Sequence, residues 1–189
     1  RKPLLWSVGG FLTLAACSTY GVFSIMPTYL VDEAGFSLEL VNGVIGASRV
    51  SGIVMVFLSG WLIDRIGTVR LITLVIAITG VLTMAIGVVT GSALLVVVFL
   101  QPVVISAFFP AAISSFAYLG PPEVRNVGVS IIIPVANFTS GGIFPSLMGA
   151  LGEAGRTGLG FSAFGALMLG SLLLLPLLRR GLAQGEAGG

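Results

Sequence analysis

The stretch SGWLIDRIGTVR, residues 59–70, separates two long apolar runs and decides how the chain is organised. It gathers an acid and two bases in a sequence that has only nine basic and seven acidic residues in all. Gly60 and Gly67 stand on either side of the acid, and glycine suits tight turns and helix ends. The stretch therefore predicts a short charged turn between two apolar helices.

Apolar runs of this kind cover nearly the whole chain. Hydrophobic residues make up 56% of it and charged residues 8%, with a mean hydropathy of +1.12, whereas a water-soluble domain usually has roughly 25% charged residues. The composition excludes such a domain. Six continuous apolar runs have about the 20 residues that a membrane helix needs, and none alternates as a barrel strand would. The predicted spans are residues 4–30, 40–63, 71–90, 93–117, 129–151 and 159–178.

We therefore expect an all-α membrane protein, a six-transmembrane-helix bundle over residues 1–178 followed by a short polar tail at 179–189. Short loops rich in Lys and Arg stay cytoplasmic. With alternating spans, the basic residues outside the apolar runs fall mostly on the side of the two chain ends. Both ends are thus expected to be cytoplasmic, in a bacterial inner (plasma) membrane. The residues on that side are Arg1, Lys2, Arg65, Arg70, Arg125, Arg179 and Arg180, against Arg156 alone on the other.

The charged turn also resembles a known signature. Its pattern is similar to G-x-L-x-D-R-x-G, which joins two helices in transporters of the major facilitator superfamily, although Thr68 and Val69 stand where that family usually has bases. Residues 109–130 resemble the end of the family's fourth span with the loop that follows, and residues 141–149 resemble a glycine-proline pattern of its fifth span. The matching residues of the turn are Gly60, Leu62, Asp64, Arg65, Gly67 and Arg70.

The resemblance implies one half of the superfamily's general substrate transporter fold, which is built from two six-helix halves. The basic start RKPLLW favours the C-terminal half. The expected partners are a second six-helix half or a second copy of the chain, the lipid bilayer and a small solute. The resemblance also implies alternating access, in which two bundles rock around the solute. In that mechanism a conformational latch would be formed by Gly60, Asp64, Arg65, Gly67 and Arg70.

Arg49 lies near the middle of the second apolar run, where an arginine costs roughly 2.5–3.5 kcal/mol, so we expect it to face a cavity or another polar group. Asn42 lies near the same helix face. The acids of the chain lie only near the ends of the runs. Either an acid of an absent half or an anionic solute would then pair with Arg49, because guanidinium matches a carboxylate through two parallel hydrogen bonds. A structural arginine held by helix carbonyls and a regulatory gate remain alternatives.

Within the superfamily, an arginine at this point looks like those of carriers for oxalate, monocarboxylates and nitrate, which implies a small anionic substrate. Three further polar residues are candidates for the same cavity: Tyr20 on the first span, Gln101 on the fourth and Asn137 on the fifth. Polar residues in membrane helices often only bond one helix to another. That use is the competing interpretation for each of the three.

The residue inventory argues against other classes of function. There is no histidine, one cysteine and no pair of acids within a span, so we expect no catalytic residues, no metal site and no cofactor. The net charge of +2 gives no indication of a nucleic-acid partner. Two alternatives to anion transport stay open. One is efflux of apolar compounds, and the other is a transporter-like scaffold or sensor that moves no solute.

Overall fold

The computed structural model describes residues 2–116 and 122–176, and these are almost entirely helical. Within these two ranges six helices are long and apolar enough to cross a membrane, which confirms the expected six-helix membrane fold. The proposed tail at 179–189 lies outside the described residues. The six are α1 (Gly9–Glu33), α2 (Leu38–Ile66), α3 (Thr68–Ile86), α4 (Ser92–Ser115), α5 (Val129–Glu153) and α6 (Thr157–Leu174).

Several of these helices change their winding part-way. In α1, Cys17–Gly21 and Tyr29–Glu33 are π-helical, and in α5 Thr139–Ile143 is π-helical. In α4, a turn at Ala107 separates Ser92–Ser106 from Phe108–Phe116. The helical winding of α1 begins at Lys2 and that of α5 at Pro122, and α6 ends in one 3₁₀ turn, Leu172–Leu174. Such π segments often occur at functional sites.

The ends of α2 follow from two local sequence features. Ser37 precedes its first turn, and the Ser37 hydroxyl accepts a hydrogen bond from the Leu40 N–H at 3.4 Å, as a capping serine does. Gly67 ends the helix with a φ of 83°, a conformation that disfavours side chains with a Cβ. Its N–H bonds the Ile63 carbonyl at 2.9 Å. The predicted charged turn is thus a helix stop with one linking residue between α2 and α3.

The helices pair in a pattern that points to an internal repeat. The main contacts join α1 to α5, α2 to α4, and α3 to α6, with further contact between α3 and α4. Exchanging α1, α2 and α3 for α4, α5 and α6 converts the first of these pairs into the second and leaves the third unchanged. The α3–α4 contact has no counterpart of similar extent between α6 and α1 in the described ranges. Repeats of this kind are common in transporter folds. This three-plus-three arrangement is not evident in the sequence.

Glycines let α3 and α6 approach at their backbones. A Cβ added to Gly165 would lie 2.6 Å from the Gly80 carbonyl oxygen, and one added to Gly158 would lie 3.0 Å from the Gly87 carbonyl oxygen. Small residues favour such contacts between membrane helices. The two helices therefore form a tightly packed pair.

The burial of the helices differs in a way that places α1 at the centre. Of its most apolar stretch, 61% is buried, against 22% for α2 and 28% for α5. The π segments of α1 and α5 contact each other, and the Phe144 ring leaves no room for a Cβ on Gly21. The faces of α2 and α5 carry exposed aromatic residues such as Phe57 and Phe138. These faces are available to lipid or to another bundle.

Candidate functional site

Arg49 is half-buried on α2 and contacts α1. Its Nη2 donates to the Thr19 carbonyl oxygen at 3.5 Å, and its guanidinium carbon lies 3.7 Å from the centroid of the Phe23 ring. The first interaction is at the upper limit of a hydrogen bond, and the second is a close cation–π contact. The arginine is therefore held by one carbonyl and one aromatic face of the neighbouring helix.

The winding of α1 explains why that helix presents these groups. In the π segment Cys17–Gly21, the Val22 N–H bonds the carbonyl of Cys17, five residues back, so the helix register shifts by one residue at this point. Pro27 lies inside the helix and has no N–H to offer the Phe23 carbonyl. Phe23 thus lies between two local interruptions of the regular helix.

No carboxylate pairs with Arg49 within residues 2–116 and 122–176. Glu33, at the far end of α1, accepts a hydrogen bond from the Thr157 hydroxyl. Asp64 lies in the last turn of α2, and Glu39 in its first turn. Arginine has five N–H donors, and within the described chain only one of them has a hydrogen-bond acceptor. Most of the guanidinium edge therefore has capacity for an anion.

A second aromatic residue, Tyr20, lies in the helix segment that contacts this arginine. It lies in the π segment next to Thr19 and is 54% exposed. Its ring centroid is 6.4 Å from that of Phe109 on α4, and the Phe109 ring is 6.0 Å from that of Phe108. The structure thus places Tyr20 in the segment that contacts Arg49. Sequence reasoning missed Phe23 and Phe109, because a phenylalanine in an apolar run gives no signal of its own.

The polar residues of α1 differ in exposure on the two sides of the π segment. Thr13, Cys17, Tyr20 and Ser24 recur at helical spacing in the sequence, yet Cys17 is 3% exposed while Tyr20 is 54% exposed. The extra residue per turn rotates the following part of the helix relative to the preceding part. Cys17 consequently packs in the core, and the Tyr20 side chain reaches the surface.

Gln101 lies inside the bundle. It is 1% exposed, and its Nε2 donates to the Ser18 hydroxyl at 2.8 Å, to the Ser18 carbonyl at 3.2 Å and to the Thr83 hydroxyl at 3.5 Å. These bonds link α4 to α1 and α3. In this arrangement the Gln101 amide bonds one helix to two others. Helix–helix bonding is the alternative to a role in substrate binding.

Asn42 and Asn137 are exposed on α2 and α5. Asn42 precedes Arg49 by two helical turns, which is about 10 Å along the axis. In the part of the chain that the structure describes, the side chains of Asn42 and Asn137 make no hydrogen bond with the guanidinium of Arg49. Arg49 therefore contacts the helix segment that contains Tyr20, and neither asparagine is hydrogen-bonded to it in the described ranges.

Two cavities of substantial size lie away from Arg49. A groove of about 730 Å³ between α2 and α4 is lined mainly by apolar residues together with Glu39, and a cavity of about 360 Å³ lies near Glu33 and Arg156. Neither is lined by Arg49 or Tyr20. We therefore identify the candidate site by its chemistry, as the Arg49 cluster formed by Arg49, Thr19, Tyr20 and Phe23, with the Phe109 ring packed against Tyr20.

The residues of the charged turn lie at the opposite end from Glu33. Gly60, Asp64 and Arg70 are exposed, and the Arg65 guanidinium lies 5.0 Å from the Trp61 ring. The Thr68 hydroxyl lies 3.5 Å from that of Ser114 on α4. Thr68, one of the two departures from the signature, thus links the turn to a neighbouring helix where the family usually has a base.

Comparison with known proteins relates the chain to a family and to a characterised relative. Residues 8–187 match the sequence model of the Major Facilitator Superfamily. A gallate transporter from Pseudomonas putida is 33% identical over 184 residues. That alignment covers 92% of this chain and 38% of the relative. The chain therefore spans well under half the length of the relative that it matches.

Proposed function

The chain belongs to the Major Facilitator Superfamily, and we propose that it forms one six-helix half of a transporter for small carboxylate anions. A second bundle, from the rest of a longer protein or from a second copy, would face the open side of α1, α2 and α5. The solute would lie between the two bundles near the membrane midplane and reach each side by alternating access.

The main support for this proposal is that Arg49 has no acidic partner in the described chain. A mid-membrane guanidinium is costly, and this one has a single long hydrogen bond and one aromatic contact within the described chain. A bound carboxylate would supply two charge-assisted hydrogen bonds. In a site with little water that attraction is strengthened. An anionic solute therefore completes the site with the partner that the guanidinium lacks.

The aromatic residues favour a carboxylate attached to a ring. Tyr20 lies in the helix segment whose Thr19 carbonyl Arg49 contacts, and its ring pairs with that of Phe109; aromatic pairs prefer offset or edge-to-face contacts that a planar solute can extend. Gallate, which the relative's name identifies as its substrate, is itself a benzene-ring carboxylate. We therefore place benzoate-type acids first among the candidate substrates.

The orientation and the latch belong to the same proposal. The basic turn would lie at the cytoplasmic side of a bacterial inner membrane, with both chain ends on that side. Asp64 and Arg65 would contact the second bundle in the outward-open state, and those contacts would break as the inner side opens. The support is their exposure at the end of α2, where both charges are accessible to another bundle.

Uptake into proteoliposomes tests the substrate class. The full-length protein would be reconstituted and supplied with labelled benzoate, and unlabelled gallate, benzoate and benzamide would be added as competitors. Benzamide keeps the ring and the planar head group but lacks the charge. We expect both acids to compete and benzamide not to compete. Equal competition by benzamide would favour a carrier of apolar compounds, and no uptake of labelled benzoate would favour a scaffold or sensor.

A further inference from the structure

We propose that Phe23 is a positioning residue for Arg49, which it holds with one face of the guanidinium covered and the edge directed to the substrate. The inference rests on the proposed anion transport and concerns selectivity between anions. Phe23 acts through the arginine and is not itself proposed to bind the carboxylate.

The distance between the Phe23 ring and the Arg49 guanidinium shows which part of the cation the ring covers. With the guanidinium carbon 3.7 Å from the ring centroid, the ring covers one face of the cation. The N–H donors of arginine lie in the plane of the group, so a ring over that face takes none of them. The Thr19 carbonyl takes one donor. The remaining edge can receive a planar anion through two parallel bonds.

The exposure of Phe23 argues against an ordinary packing role. Helix α1 is the most buried of the six helices, and the neighbours Val22 and Met26 are 0% and 2% exposed. Phe23 is 37% exposed on the same helix. A phenylalanine placed for core packing would lie with those neighbours, whereas Phe23 lies on the open side with the charged group.

This arrangement has a consequence for selectivity. A guanidinium fixed in one plane fits the two coplanar oxygens of a carboxylate. A sulfonate can also present two oxygens to the guanidinium, but its third oxygen and its ring then lie on opposite sides of that plane. Because Phe23 covers one of those sides, the sulfonate fits the fixed plane less well. Removal of the ring would free the guanidinium to turn, and the preference for benzoate over benzenesulfonate would fall.

Transport kinetics of the full-length protein test the inference. We expect Phe23→Leu to raise the KM for benzoate about tenfold, the size of a partly desolvated cation–π contact, with kcat within about twofold. The preference for benzoate over benzenesulfonate should fall, and Phe23→Tyr should restore both values. Phe57→Leu is the matched control, because Phe57 is exposed on α2 and should leave both values unchanged.

A second readout separates this inference from the proposed function. Phenylglyoxal modifies arginine, and mass spectrometry can follow its reaction at Arg49 without any substrate. We expect faster modification in Phe23→Leu than in the wild type or Phe23→Tyr. If Phe23→Leu does not fold, Phe23→Met removes the ring at similar volume and replaces it in every assay.

The possible results distinguish failure of the positioning role of Phe23 from failure of the proposed function. Unchanged benzoate KM, anion preference and Arg49 modification in Phe23→Leu would overturn the positioning role, even if Arg49 proved essential for transport. Absence of carboxylate transport by the wild type would overturn the proposed function, while faster Arg49 modification in Phe23→Leu would still support the structural role of the ring. Equal effects of Phe23→Leu and Phe57→Leu would also contradict the inference.

Discussion

Replacing Gln101 by leucine distinguishes helix–helix bonding from substrate binding at a buried amide. Nε2 makes two bonds to Ser18, at 2.8 and 3.2 Å, and a longer one to Thr83 at 3.5 Å. Interhelical hydrogen bonds in membranes average about 0.6 kcal/mol and reach about 1.7 kcal/mol. Leucine has a similar volume, so the lost bonds dominate. We expect Gln101→Leu to lower the free energy of unfolding by about 2 kcal/mol, or about 30-fold in the folded-to-unfolded ratio.

The assay is denaturant or thermal unfolding of the purified full-length protein in detergent, together with transport kinetics. Asn137→Leu is the stability control, because Asn137 is exposed and its replacement should change the free energy of unfolding by less than about 0.5 kcal/mol. For Gln101→Leu, the KM for benzoate should stay within about twofold of the wild type. Wild-type stability with a raised KM would refute this reasoning, since it would assign the amide to the substrate path.

Two further predictions concern the packed pair and the latch. Gly165→Ala should lower stability by about 1–3 kcal/mol through overpacking, because its Cβ would meet the Gly80 carbonyl oxygen at 2.6 Å; Gly170→Ala on the same helix, with no atom within 4 Å of its added Cβ, should not. Equal melting temperatures of the two variants would show that α3 and α6 are not in such close contact. Asp64→Asn should slow transport with no change in membrane insertion or melting temperature. Wild-type uptake by that variant would show that the carboxylate forms no latch.

The overall fold could be predicted from the sequence because lipid imposes a strong pattern. Continuous apolar runs of about 20 residues predict helices, and the glycine in the charged turn predicts the helix stop that the structure shows at Gly67, with its φ of 83°. The pairing of α3 with α6 was beyond this reasoning, because glycine is abundant along the chain. Only the observed contacts show that Gly80 and Gly165 meet.

The candidate site could be predicted only where a charge gave the signal. Arg49 is conspicuous in an apolar run, and the structure gives it no acidic partner within the described chain. The π segment of α1 has no recognisable sequence pattern, yet it determines that Tyr20 is exposed and Cys17 buried. Phe23 becomes a candidate only because its ring lies over the guanidinium.

The central claim is that the Arg49 guanidinium receives the substrate anion, and the most direct measurement is benzoate affinity in Arg49 variants of the full-length protein. Hydrogen bonds to charged groups contribute about 1.5–3 kcal/mol, so Arg49→Ala should weaken affinity by about 10- to 150-fold. Arg49→Lys should fall between, since lysine keeps the charge without the planar fork, and the exposed Arg156→Ala should match the wild type. Wild-type affinity in both Arg49 variants would contradict the account.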